Sequence, residues 1–290
     1  MANLKEVRTR IASVSSTQQI TSAMKMVSAA KFRRAQNAIV GMRPYAEQLG
    51  EIVADIDTGD GIGTPYHAKR VVQAVTLVVI TSNKGLCGAF NSNVLKLAQQ
   101  RIEHWRGEHT TIKLITIGKK ASEMLARQKD LTLEAHDELL DAPTFDAVAT
   151  LADSLLEDFV GKKTDHVEII YNQFKNSLSQ ILTCEQFLPV EEKKTEGKGA
   201  KAMANDYIYE PSKVAIMQEL VPLTLRSTFF RMVLDSLAAE HGARMTSMQK
   251  ATDNATELLK DLKLSYNKAR QASITNEIIE IVSGSEALKG

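Results

Sequence analysis

From Leu223 to Ser283 the sequence runs about sixty residues without a proline and with a single glycine, Gly242. Helical throughout, such a run would be on the order of 90 Å long at roughly 1.5 Å per residue. A compact globule of 290 residues has a radius of gyration of only about 19 Å. The run cannot be buried inside its own globule, so it must project from it or lie along something equally long.

The expected contact seam is Phe230, Val233, Leu237, His241, Arg244, Met248, Ala251, Ala255, Leu258, Leu262, Tyr266 and Ala269, in the alternating steps of three and four of a coiled coil. Alanines permit close backbone approach, and His241 and Arg244 interrupt the apolar stripe. Such an irregular seam favours one specific partner helix over a plain parallel homodimer. Residues 4–40 supply a candidate, being free of proline and glycine and carrying Leu4, Val7, Ile11 and Val14, then, after a shift at Thr17, Ile20, Met24 and Val27. The two segments read as an antiparallel intramolecular coiled coil; two separate amphipathic helices lying on a core are the alternative.

Between them the pattern changes. The β-branched run Ala74–Ile80 predicts a buried strand, with further strands at Ile112–Ile117, Val167–Tyr171 and Gln180–Phe187. Helices are expected at Ser92–Trp105, Lys119–Arg127 and Phe145–Phe159. Alternation of this kind gives an α/β domain with an open, Rossmann-like sheet. The expected organisation is an N-terminal coiled-coil helix over 1–58, a central α/β domain over 70–190, a flexible loop over 191–206, and a C-terminal coiled-coil helix over 207–290 entered through Pro211 and Ser212.

A 43% apolar content with net charge +1 fits a soluble folded chain and gives no reason to expect nucleic acid as a partner. Met1–Glu6 lacks the apolar core of a signal peptide, and no window approaches eighteen apolar residues, so an intracellular chain without its own membrane span is expected. Cys87 and Cys184 are too few for a disulfide framework, and the six histidines form no metal-ligand spacing. Neither a metal nor a cofactor is expected. The turn Ser82-Asn83-Lys84-Gly85-Leu86-Cys87-Gly88, between a strand and a helix, could bring backbone N–H groups to a phosphate. It lacks both the Gly-x-Gly-x-x-Gly and the Walker pattern, and glycines that simply allow a tight turn are the alternative. Cys87 beside Lys84 is either a thiol of lowered pKa or a buried, inert one.

The run Arg10 to Val27, the segment Lys84-Gly85-Leu86-Cys87-Gly88, the turn Tyr207-Ile208-Tyr209-Glu210-Pro211, Glu240 to Met245 and Tyr266 to Thr275 resemble, in the same order, the gamma subunits of F-type ATP synthases. The C-terminal signature departs in one place, where Gly284 is followed by Ser285. The paired-cysteine insertion of chloroplast members is missing from Glu191–Asn205, so thiol regulation of that kind is not expected.

The resemblance implies a non-catalytic rotor. Its coiled coil would stand inside a ring of alternating alpha and beta subunits, and its α/β domain would form a foot on the c-ring. By match to the family motifs, Arg270, Gln271 and Thr275 are implied contacts to an acidic loop of a beta subunit. Met24, Lys25, Lys31, Arg33 and Arg34 would face an acidic lever of the beta subunits, with Arg244 pairing there or bracing the coiled coil. Tyr207 and Glu210 would lie at the foot, near the c-ring and the epsilon subunit. The C-terminal segment, with Ile274, Ile278, Ile281 and Val282, would be the tip of a bearing. The implied location is the cytoplasmic face of a bacterial inner membrane, held there only through the complex. Without the resemblance, the residues alone leave open a coiled-coil adaptor or a dinucleotide-binding enzyme using Gly85–Gly88.

Overall fold

The computed structural model describes residues 4–57, 64–128, 131–176, 179–190, 210 and 212–287. These divide into two compact units: residues up to 29 with those from 244 on, and residues 30–243.

The second unit is built on β1 (Ala74–Ile80), β2 (Thr111–Ile117), β3 (Thr132–Ala135), β4 (His166–Phe174) and β5 (Gln180–Leu188). The strand order is β3-β2-β1-β4-β5, parallel from β3 to β4, with β5 antiparallel at the edge. This is a Rossmann-like open sheet with its crossover between β1 and β4. β1 is central and both its faces are covered, which is why its sequence is a continuous apolar run rather than an alternating one. One face of the sheet packs on α2 (Phe90–Gly107) and α3 (Lys119–Leu125) through Val94, Ala98, Ile102, Ala121 and Leu125. The other packs on α4 (Phe145–Val160) and on Met217, Val221, Leu225, Phe229 and Val233 of the long helix α5 (Lys213–Ala287).

One glycine is sterically required. Gly118, between β2 and α3, has φ +111°, and a Cβ there would lie 2.4 Å from the Thr81 carbonyl oxygen. That close approach lets the Ala121 N–H donate to Thr81 Oγ1 at 2.9 Å, joining the C-terminal ends of β1 and β2.

α1 (Leu4–Asp57) runs past the proline- and glycine-free stretch 4–40 and continues through Gly41, Pro44 and Gly50, inside the span of 1–58 expected for this helix. Packing overrides propensity here: Leu49 is buried and Val53 rests on the sheet core. Within the same unit Ala35 and Ile39 of α1 pack on Leu234 and Ala238 of α5. α5 starts as expected, with the Ala215 N–H donating to Ser212 Oγ at 3.3 Å. Its interior Pro222 lies between the buried Val221 and Leu225.

In the first unit α1 and α5 run antiparallel. Gln18 Nε2 donates to Thr256 Oγ1 at 2.7 Å, and Thr252 Oγ1 donates to Thr21 Oγ1 at 2.9 Å. Two sequence expectations about this seam are corrected. Leu258 is 48% exposed and its neighbour Leu259 only 8%, so the seam steps by four from Ala255 to Leu259. On α1 the stripe does not shift at Thr17. The inward face keeps the three-four spacing through Val7, Ile11, Val14, Gln18, Thr21, Lys25 and Ser28, while Ile20 and Val27 point outward. The seam becomes polar without changing its period.

Candidate functional site

Carrying the Thr21–Thr252 register to Leu4, where α1 begins, places that end of α1 at the level of Ala269. Beyond that level α5 has no partner helix among the described residues. From Arg270 to Ala287 every residue except Ser273 is exposed, including Ile274, Ile278, Ile279 and Val282, with Ile281 reaching 72%. At about 100° per residue these apolar side chains spread over roughly half the helix circumference, wider than the stripe one partner helix would cover. A surrounding apolar surface would cover it. Arg270 and Gln271 stand at the base of this segment, both exposed, and the Thr275 hydroxyl donates to the Gln271 carbonyl at 2.9 Å. That bond holds the hydroxyl on its own helix and leaves its oxygen able to accept.

Lower in the same unit Met24 and half-buried Lys25 lie beside the polar seam, with the exposed Ile20, Met26 and Val27 on the outer side of α1. At about 1.5 Å per residue the level of Lys25 is roughly 33 Å from that of Arg270, so these residues and the C-terminal segment form separate surfaces. Arg244 is only 8% exposed, so most of its side chain is packed within the chain. Lys31, Arg33 and Arg34 belong to the second unit, all exposed on α1. Glu210 is exposed; Tyr207 and the segment 191–206 lie outside the described residues.

The Ser82–Gly88 turn is closed by its own polar groups. Ser82 N–H donates to Asn91 Oδ1 at 3.0 Å, Asn91 Nδ2 donates to Ser82 Oγ at 2.8 Å and to Cys87 Sγ at 3.3 Å, and Ser82 Oγ donates to the Lys84 carbonyl at 2.7 Å. Leu86 and Gly88 hold φ of 65° and 63° to make the bend. In an open α/β sheet a nucleotide would enter here, at the C-terminal ends of β1 and β4. That crevice is filled: Cys87 and Phe90 pack on Ala239 of α5 with Phe174 and Ala243 around them, and Asn172 Nδ2 donates to the Phe90 carbonyl at 3.2 Å. The tight-turn alternative is the one the geometry favours, and Cys87 is a buried thiol.

The polar centre that sequence reading missed lies on β4. Glu168 accepts from Arg101 Nε at 2.8 Å, from the same guanidinium's Nη2, and sits 3.1 Å from His166 Nε2. Burial alone would raise its pKa, but the hydrogen bonds from His166 and Arg101 and the arginine's charge outweigh it and hold the carboxyl at about 2. Burial, with Glu168 as neighbour, pushes the Cys184 thiol up to about 12, so it is protonated and a poor nucleophile. The four groups come from α2, β4 and β5, far apart in sequence, and no local motif marks them. They form a structural brace, with every strong partner already engaged.

Residues 3–288 match the family described as ATP synthase. The chain is 53% identical over 292 residues to the ATP synthase gamma chain of Flavobacterium johnsoniae, covering 100% of both. It is 42% identical over 291 residues to that of Geobacter metallireducens, again covering 100% of both. Its fold is similar to a chain of the Euglena gracilis mitochondrial ATP synthase solved as OSCP/F1/c-ring, with TM-score 0.68 at 21% identity over 98% of this chain and 94% of that one. It is likewise similar to a chain of the Tetrahymena thermophila central stalk and c-ring, with TM-score 0.59 at 23% identity over 80% and 99%. With long terminal helices around a five-stranded sheet and near-complete alignment to named relatives, the chain belongs to the ATP synthase gamma chain family.

Proposed function

We propose that the chain is the rotor of the central stalk, turning inside a ring of alpha and beta subunits and carrying rotation between that ring and a membrane-embedded c-ring. The chain itself is a non-catalytic subunit. The observation that carries the reading is the C-terminal stretch of α5, which outruns α1 and is exposed and apolar over half its circumference. Left in water, such a surface favours aggregation; inside an apolar sleeve it is a bearing. Ile274, Ile278, Ile281 and Val282 are its running surface.

Arg270, Gln271 and Thr275, at the base of the bearing, contact an acidic loop of one beta subunit at a time. Exposed polar contacts suit this role, since they can break at every step of rotation. Lys25, Lys31, Arg33 and Arg34 supply positive charge to an acidic lever segment of the beta subunits, which Met24 beside Lys25 contacts through its apolar side chain. Arg244, mostly buried, braces the helix pair. Tyr207 and Glu210 belong to the foot, facing the c-ring and an epsilon subunit. No described helix is long and apolar enough to cross a membrane. Association with the cytoplasmic face of a bacterial inner membrane therefore comes through the complex, in which flow of protons or sodium ions drives ATP synthesis.

The test is the double variant Arg270→Ala/Gln271→Ala in the assembled synthase. The rotor reading expects impaired ATP turnover or impaired assembly. Unchanged turnover in a fully assembled complex would favour a passive adaptor.

A further inference from the structure

Between two well-packed stretches of α1 lies a span that is helical but poorly supported. On one side Ala35 and Ile39 are buried against Leu234 and Ala238; on the other Leu49 is buried and Val53 rests on the sheet core. In between, Val40, Gly41, Pro44, Tyr45 and Gln48 are exposed, and half-buried Met42 alone among the side chains described there reaches the Ala35–Leu234 cluster. Beneath them α1 spans an apolar groove of about 480 Å³, lined on the other side by Leu223, Phe230 and Leu234 of α5 and by Phe145. A Cβ added at Gly41 would meet nothing within 4 Å.

Three independent weaknesses coincide in this span. Pro44 has no N–H, so the Val40 carbonyl loses its helical hydrogen bond. Gly41, one turn earlier, carries the backbone entropy cost of glycine in a helix. The groove withdraws the packing that sustains most helices in proteins. α5 provides the internal contrast, because Pro222 makes the same break there but lies between Val221 and Leu225, both buried in the sheet core.

We propose that residues 40–48 of α1 are a built-in joint, a segment that opens locally while the packed turns on either side stay helical. Its use rests on the rotor reading: α5, clamped to the sheet through Met217–Val233, carries the load, and this span gives α1 a place to absorb twist. The joint itself does not depend on that reading.

Hydrogen exchange on the full chain, alone and in the assembled synthase, tests it. Peptides covering 40–48 should exchange at least tenfold faster than those covering 32–39 and those flanking Pro222. Gly41→Ala with Pro44→Ala should slow exchange in 40–48 at least tenfold and leave the Pro222 region unchanged. Equal protection along 32–48, or no response to the substitutions, would overturn the proposal. A failure of the rotor reading would appear separately, as unchanged turnover in the Arg270→Ala/Gln271→Ala complex, with the exchange pattern intact.

Discussion

Replacing Glu168 by glutamine should cost the α/β unit stability at neutral pH and remove a defined part of its acid sensitivity. The carboxyl is held at about 2 against an ordinary 4.5. At about 1.36 kcal/mol per pKa unit the difference corresponds to roughly 3 kcal/mol. Arg101 is itself nearly a third exposed, and water screens part of its charge, so about 2 kcal/mol is the expected effect. The folded pKa is depressed, so this stability is fully present above about pH 4.5 and is lost as pH falls through that value toward 2. The assay is urea unfolding of the full chain followed by Trp105, the sole tryptophan, whose ring lies 5.1 Å from His166 and 5.6 Å from the Arg101 guanidinium. The gap between wild type and Glu168→Gln should be about 2 kcal/mol at pH 7 and should narrow by about 1 kcal/mol by pH 3.5. A gap independent of pH, or one that widens in acid, would refute the reasoning.

The corrected seam predicts that Leu259→Ala destabilises the helix pair by about 2 kcal/mol and Leu258→Ala by under about 1 kcal/mol, read as loss of helix by circular dichroism on heating. Equal effects would restore the original seam. Gly118→Ala should destabilise the sheet by about 3 kcal/mol or more, because its Cβ meets rigid backbone, and should lower the Trp105 unfolding midpoint. Ala239→Phe, placed where Cys87 and Phe90 already fill the crevice, should cost about 1 to 3 kcal/mol by overpacking, seen as a lower thermal midpoint. A neutral effect would mean the crevice is roomier than its packing indicates.

The parts of the fold that were legible in the sequence are those where composition and period agree. β1 is an uninterrupted β-branched run, and its bounds, Ala74–Ile80, match the expectation. β3 was missed because four residues, Thr132–Ala135, with a glutamate among them, carry neither a period nor an apolar run. The second half of α1 lies inside the helix expected over 1–58 although Gly41, Pro44 and Gly50 argue against it locally; the burial of Leu49 and the packing of Val53 on the sheet core outweigh those local preferences. The seam shows a different limit. Following hydrophobicity led to Ile20 and Val27, whereas following the three-four spacing through Gln18, Thr21 and Ser28 would have found the buried face. For the candidate site, the outrunning end of α5 was readable from the unequal lengths of the two helices. The outward apolar side chains Ile20, Met26 and Val27 were not, because they look like core until the polar seam behind them is seen.

Rotation itself is the most direct test. With the catalytic ring of the assembled synthase fixed to a surface and a bead attached to an introduced cysteine on an exposed residue of the α/β unit, ATP should drive stepwise, one-directional turning of the bead. A bead that stays still while the same complexes hydrolyse ATP would contradict the rotor account.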